Sequence, residues 1–292
     1  MKMRLSTLAC LLVAACGTAR AHDTWFERLP AATAPAPLQL ALGTGTLYPL
    51  YESGIDARYL ARQGCRGAQG GSSLRALRNE AATLVVQARA DAATCWAQLT
   101  PFEIELAPDK IELYLHEIQA GPALRAAWAD IHARGLPWKE RYTKHARIEL
   151  AGDGAMPVPV PVPMSMDALL EDGPARVGQP LHLRVLRDGR PLADFPVELR
   201  SELSRQGLWR RTDAEGRVQV TLPLAGAWIL RGVDLRLSAS RPDEWDSRFL
   251  TLAFTVQPRT AQNSLTSNAL STNQAAATAA MSSEPPVSTA RR

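Results

Sequence analysis

Over residues 181–256 apolar side chains fall on every second position in short runs, and each run ends in a turn signal. Leu181, Leu183 and Val185 alternate with His182 and Arg184. Asp188-Gly189-Arg190-Pro191 turns the chain, and Val197 and Leu199 return it. Thr212-Asp213-Ala214-Glu215-Gly216 makes the next turn before Val218, Val220 and Leu222; Trp228, Leu230 and residues 249–256 complete the set. A period of two puts one side of each run against a core, which marks strands rather than helices. About seven short strands with regular turns predict an immunoglobulin-like, Greek-key β-sandwich over 168–257.

The first half is less regular. Leu38, Leu40 and Leu42 alternate, and residues 83–89 and 94–99 are rich in strand-forming types. Gly43-Thr44-Gly45 reads as a turn and is no dinucleotide fingerprint, since Tyr48 stands where a third glycine belongs. Tyr48-Pro49-Leu50-Tyr51 reads as an aromatic loop capping the core. Pro108 opens a helix with the stripe Ile111, Tyr114, Leu115, Ile118. Leu124, Ala127, Trp128 and Ile131 form a second, stopped by Gly135 and Pro137. Tyr142, Ala146, Ile148 and Leu150 make one side of a strand, which leaves Thr143, His145, Arg147 and Glu149 on the non-core side.

The expectation is a mainly β chain of two β-rich domains: 22–152, with short helices inserted, and 168–257. A Pro-rich linker, 153–167, separates them, and Pro157-Val158-Pro159-Val160-Pro161-Val162-Pro163 favours an extended spacer. Residues 258–292 are dominated by Asn, Ser, Thr and Ala. They cannot bury enough surface to offset ordering entropy, and a disordered tail is predicted.

Lys2, Arg4 and a short apolar stretch at 8–15 precede Ala19-Arg20-Ala21, a small-x-small cleavage pattern. Residues 1–21 read as an export signal, and the mature chain then begins at His22. Alternatively, Val13-Ala14-Ala15-Cys16-Gly17 resembles a lipobox, which would anchor the chain at a lipidated Cys16 and leave His22 internal. No later segment has the length and apolarity of a transmembrane helix. The formal charge is +4, but Lys2, Arg4 and Arg20 leave with the signal, so the mature chain is near neutral. It has no Lys/Arg run, and nucleic acid is not an expected partner. Cys10 and Cys16 lie in the signal. Cys65 and Cys95 remain, and an oxidising compartment favours a disulfide between them over two buried thiols. It would close a Gly/Ser-rich, compositionally flexible loop and contribute roughly 3–4 kcal/mol.

A terminal His22 carries an α-amine and an imidazole on one residue. Their ordinary pKa values, about 7.7–8.0 and about 6.5, let both lose protons to a competing metal. Nitrogen donors in a tetragonal arrangement suit Cu(II) or Ni(II). Asp23 can add a carboxylate. For the completing imidazole His145 is the first candidate and His116 the second. His132 and His182 read as solvated, and Asp243-Glu244-Trp245-Asp246 as an ordinary turn. Met156, Met164 and Met166 read as incidental to the spacer. Enzyme signatures fail: His116-Glu117-Ile118-Gln119-Ala120 lacks the second histidine of a zinc-protease helix, and no Gly-x-Ser-x-Gly elbow or phosphate loop is present.

Taken in order, His22-Asp23-x-Trp25, Tyr114-Leu115, Glu140-Arg141-Tyr142-Thr143-Lys144, Gly189-Arg190-Pro191-Leu192, Thr212-Asp213-Ala214-Glu215-Gly216 and Gly226-Ala227-Trp228 resemble the NikM-like periplasmic proteins. These form an exported domain-of-unknown-function family linked to nickel uptake. The resemblance covers about residues 19–256. It implies a periplasmic, β-rich protein of transition-metal acquisition, working with an inner-membrane metal transporter. The leading expectation is thus a non-enzymatic binding protein that holds nickel, cobalt or copper through His22. One alternative is an envelope interaction module without metal. Another is a copper-dependent oxidase with a histidine brace, which would need a flat aromatic substrate face.

Overall fold

The computed structural model describes residues 22–30, 37–150 and 160–259. The expected signal, residues 153–159 of the expected spacer (Met156 among them) and residues 260–292 of the expected tail lie outside the described residues. The described residues open with β1 (Asp23–Arg28), β2 (Leu38–Gly45) and β3 (Ser53–Gly54). There follow β4 (Leu60–Gly67), β5 (Gly70–Ser72), β6 (Arg75–Asn79), β7 (Thr83–Ala88), β8 (Ala92–Leu99) and β9 (Phe102–Leu106). Helices α1 (Pro108–Glu117) and α2 (Pro122–Ala133) each start on proline, whose missing N–H costs nothing there. They bury Ile111, Tyr114, Leu115, Trp128 and Ile131 of the predicted stripes, with Leu124 and Ala127 half-buried, and Gly135 takes the left-handed conformation after the second.

The rest of the described chain is strand and loop: β10 (Trp138–Glu149), β11 (Met166–Leu170), β12 (Pro180–Arg187), β13 (Arg190–Pro191), β14 (Pro196–Ser201), β15 (Leu208–Arg211), β16 (Arg217–Thr221), β17 (Gly226–Leu237) and β18 (Trp245–Val256). The fold is mainly β, and the described residues form three sheets. A five-stranded sheet runs β1-β2-β7-β6, with β3 on β2. A nine-stranded sheet runs β15-β14-β17-β18-β10-β8-β4-β5, with β9 on β10. A four-stranded sheet runs β11-β12-β13, with β16 on β12. The strands β10 and β18 pair in parallel from Glu140–Trp245 to Ile148–Ala253. The two halves of the chain therefore share one sheet, and the described residues up to Pro258 form one compact unit.

The nine-stranded sheet is covered on both faces. On one, Leu199, Leu230, Leu250 and Leu252 pack against Met166, Leu183 and Val220 of the four-stranded sheet, forming a sandwich. On the other, alternate residues of the same strands build two separate clusters. Val233, Leu235, Trp245 and Phe249 lie under the helices. Ala146, Ile148 and Ala253 lie under Phe26, Leu40 and Val86 of the five-stranded sheet. Between these clusters runs a seam of buried polar groups, Asp23, Thr24, Thr44, Lys144, Arg231 and Thr251.

Several expectations change. The side of β10 read as non-core is buried: Arg147 is 0% and His145 1% exposed. The reason is the central place of β10 in a sheet covered on both faces, so alternation there separates two interiors rather than core from solvent. Met164 and Met166 are core residues, not spacer. Trp245 is fully buried and opens β18, so the supposed acidic turn is partly strand. Gly43 and Gly45 belong to β2 rather than a turn; a Cβ on Gly45 would stand 2.1 Å from the Leu50 carbonyl oxygen. The glycine-rich stretch around Cys65 is the β4–β5 hairpin, where a Cβ on Gly67 would meet the Asp91 carbonyl oxygen at 2.1 Å. Glycine serves close approach in both places. The Cys65–Cys95 disulfide is formed, between directly opposed residues of β4 and β8.

Candidate functional site

His22 stands one residue before β1. Its ring is partly exposed, and Nε2–H donates to Glu52 Oε2 at 3.1 Å. Glu52 is held in turn by the Thr46 backbone N–H, 3.1 Å from Oε1, and by the Thr46 hydroxyl, 3.0 Å from Oε2. Slight burial works against the Glu52 charge, but these Thr46 donors and His22 outweigh it and hold its pKa below the ordinary range.

Asp23 turns inward. Its Oδ2 accepts from Arg231 Nε, and Arg231 also donates from Nη1 to Glu198 Oε2 at 2.8 Å. Burial pushes the Asp23 carboxyl above its ordinary range, against the pull of Arg231. Burial likewise opposes the charge on Arg231, but its two carboxylates prevail and hold its proton more firmly than usual. Asp23 Oδ1 is enclosed without a hydrogen-bond partner among the described residues. Close by, the Lys144 ammonium lies 5.7 Å from the Tyr142 ring centre and 5.9 Å from that of Phe249. Burial lowers its pKa to about 8, although Asp23 pulls the other way.

A cavity of about 190 Å³ opens where the helices, the five-stranded sheet and the nine-stranded sheet meet. Thr46, His116, Glu117, Glu198, Arg200 and Arg231 line it. Of the four sequence-predicted ligands only His116 lines this cavity; His22 and Asp23 adjoin it through their partners. His22 is tied through Glu52 to Thr46 on the cavity wall, Asp23 is bound to Arg231 on the same wall, and His116 faces the cavity from the end of α1.

His145 is the exception. It lies on the opposite face of the sheet, where Nδ1–H donates to the Phe249 carbonyl at 2.9 Å and Nε2 accepts from the Ser165 hydroxyl at 2.8 Å. Burial lowers its pKa to about 4. Both nitrogens are engaged, and it is not brought to His22.

No family model matches this chain, and no curated protein matches it. The site is therefore argued from its own geometry. Among the described residues no three His, Cys, Asp or Glu side chains are grouped so that they could hold a metal ion. A larger groove of about 410 Å³ beside α2 is mostly apolar, with Glu105 and His132 as its ionisable wall residues. Neither belongs to the predicted ligand set.

Sequence reasoning missed Glu52, Thr46, Glu198 and Arg231. One signal was available for Arg231, a lone charge within the apolar run Trp228-Ile229-Leu230-Arg231-Gly232-Val233, which implies a buried partner. Nothing local marks Glu52 as the partner of His22.

Proposed function

We propose that the mature chain begins at His22 and is an exported protein that binds nickel, cobalt or copper for uptake or handling. Its primary donors are the imidazole and α-amine of His22. One observation carries this reading: β1 starts at the very next residue, and that residue, Asp23, is locked to Arg231 in the buried seam beside the His116 cavity. A chain terminus normally frays, and ordering it on binding costs affinity. Here the residue after the terminus is already fixed, so little order remains to be imposed on the chelate. His116, on the wall of that cavity, is the candidate to complete the set. Asp23 serves as the anchor rather than as a ligand. The resemblance to NikM-like proteins supports the periplasm as the compartment and an inner-membrane transporter as the partner.

Intact-mass spectrometry of the protein secreted by its native host tests the proposal. A denatured mass of residues 22–292 less two hydrogens supports the terminus and the disulfide. Under native conditions one nickel, cobalt or copper ion should add, and His22→Ala should lose it. A lipidated mass beginning at Cys16 removes the terminal amine and defeats the proposal.

A further inference from the structure

We infer that Glu52, oriented by Thr46, selects the nitrogen of His22 that meets the metal, and so acts as a positioning residue for the site. The inference rests on the His22 chelate proposed above and assigns a role to a side chain that touches no metal.

The acceptor facing Nε2 is a carboxylate, so Nε2 carries a proton, and in the neutral ring a metal would meet, Nδ1 holds the lone pair. In a terminal histidine, Nδ1 is the nitrogen that closes a six-membered ring with the α-amine through Cα, Cβ and Cγ. Nε2 lies on the far side of the imidazole and cannot close that ring. The contact with Glu52 thus reserves the chelating nitrogen and engages the other. A compact amine–imidazole chelate of this kind suits the tetragonal geometry of Cu(II) and Ni(II). Histidine ligands of metals ordinarily donate their second ring N–H to a carboxylate or carbonyl in the same way.

The carboxylate is built to hold still. Besides the two Thr46 donors, the Glu52 backbone N–H donates to the Thr44 carbonyl at 2.8 Å. The loop between them is closed by Leu50 N–H on the Leu47 carbonyl, also 2.8 Å. The Tyr51 ring stacks on Trp25 with centres 4.8 Å apart, and Trp25 is in β1. The strand that carries His22 and the loop that carries Glu52 are therefore packed as one piece. The His22–Glu52 pair itself is 38% and 46% exposed, and such a pair contributes little to folding. Its precise support is better explained by what it does to the imidazole.

The test uses the mature chain beginning at His22, with its disulfide intact, titrated with aqueous Cu(II) and Ni(II) against a chromophoric chelator. Glu52→Ala should weaken binding about 10–100-fold. Glu52→Gln, whose amide oxygen still accepts from Nε2–H but whose NH2 loses the Thr46 N–H donor, should weaken it less than Glu52→Ala. Pulsed electron paramagnetic resonance of the copper form reads the remote imidazole nitrogen, whose signal responds to its hydrogen bond. That signal should move in Glu52→Ala and much less in Glu52→Gln, a response that a merely structural role would not give. Equal melting temperatures of the metal-free proteins control for folding. If native protein binds metal and needs His22, yet Glu52→Ala matches it in affinity and remote-nitrogen signal, the role of Glu52 is overturned and the chelate stands. If the native mature chain binds neither ion, both fall.

Discussion

Arg147 and Arg231 point to opposite faces of the same nine-stranded sheet, and each is clamped between two carboxylates. Arg147 meets Glu149 at 2.6 Å and Asp167 at 3.0 Å, and its side chain is wholly enclosed. It also donates to the Val160 carbonyl, while Asp167 accepts from the Val162 backbone N–H. That cluster fastens the segment leading into β11 across the sheet. Arg231 is held by Asp23 and Glu198 in the same fashion, but its side chain keeps 8% exposure and faces the cavity. It fastens the start of β1. The two regions use one device, a buried cation with two anions, for different ends. Arg147 closes an interior, and Arg231 fixes the start of β1 beside open space. A buried ion pair is weak evidence of net stabilisation, since desolvation offsets much of the attraction. What distinguishes these two is the segment each one ties down.

The largest expected effect comes from breaking the enclosed cluster. Arg147→Met leaves Glu149 and Asp167 unpaired in the interior and should cost roughly 3–5 kcal/mol in urea unfolding. Arg231→Met should cost less, because the cavity lets water reach Glu198, one of the two stranded carboxylates. An equal or larger loss for Arg231→Met would erase the proposed difference between the two faces.

The neighbours His145 and Lys144 sharpen the comparison through pH, because they point to opposite faces. The folded-state pKa of His145 is near 4 against an ordinary 6.5, so the unfolded chain takes up the proton first. Its contribution is complete above pH 6.5 and fades as pH falls towards 4. Urea midpoints across that window should decline more steeply in native protein than in His145→Gln. Lys144 titrates near 8 against an ordinary 10.5. The cost of its buried charge is full below pH 8 and is relieved as pH rises towards 10.5. The stability gap between Lys144→Met and native protein should narrow over that range; a constant gap would mean that Lys144 is better solvated than its packing indicates. The smallest effect is expected from His22→Ala in metal-free protein, within about 0.5 kcal/mol of native, as for an ordinary surface substitution. A larger loss would make His22 part of the fold rather than of a site.

The alternation at 181–185 and 218–222, the helical stripes through Tyr114 and Trp128 and the pairing of Cys65 with Cys95 were all legible in the sequence, because periodicity and cysteine count report local facts. His22, Asp23 and His116 were named there as candidate donors, though only as residue types. His145 was misplaced by the same logic that placed Ala146. Alternation shows which residues share a side, but not whether the other side meets water, and only the packing of β11 and residues 160–165 over β10 decided that. The union of the two halves through β10 and β18 has no local signature either. Nor do the contacts that shape the site: Asp23 and Arg231 stand 208 positions apart in the chain, and His22 and Glu52 stand 30 apart. The sequence by itself determined the strands, the helices and the candidate donors. Which of those donors lies at the surface, which lines the cavity and which is sealed away with both nitrogens engaged was decided by tertiary structure, because it depends on which faces of which elements are covered.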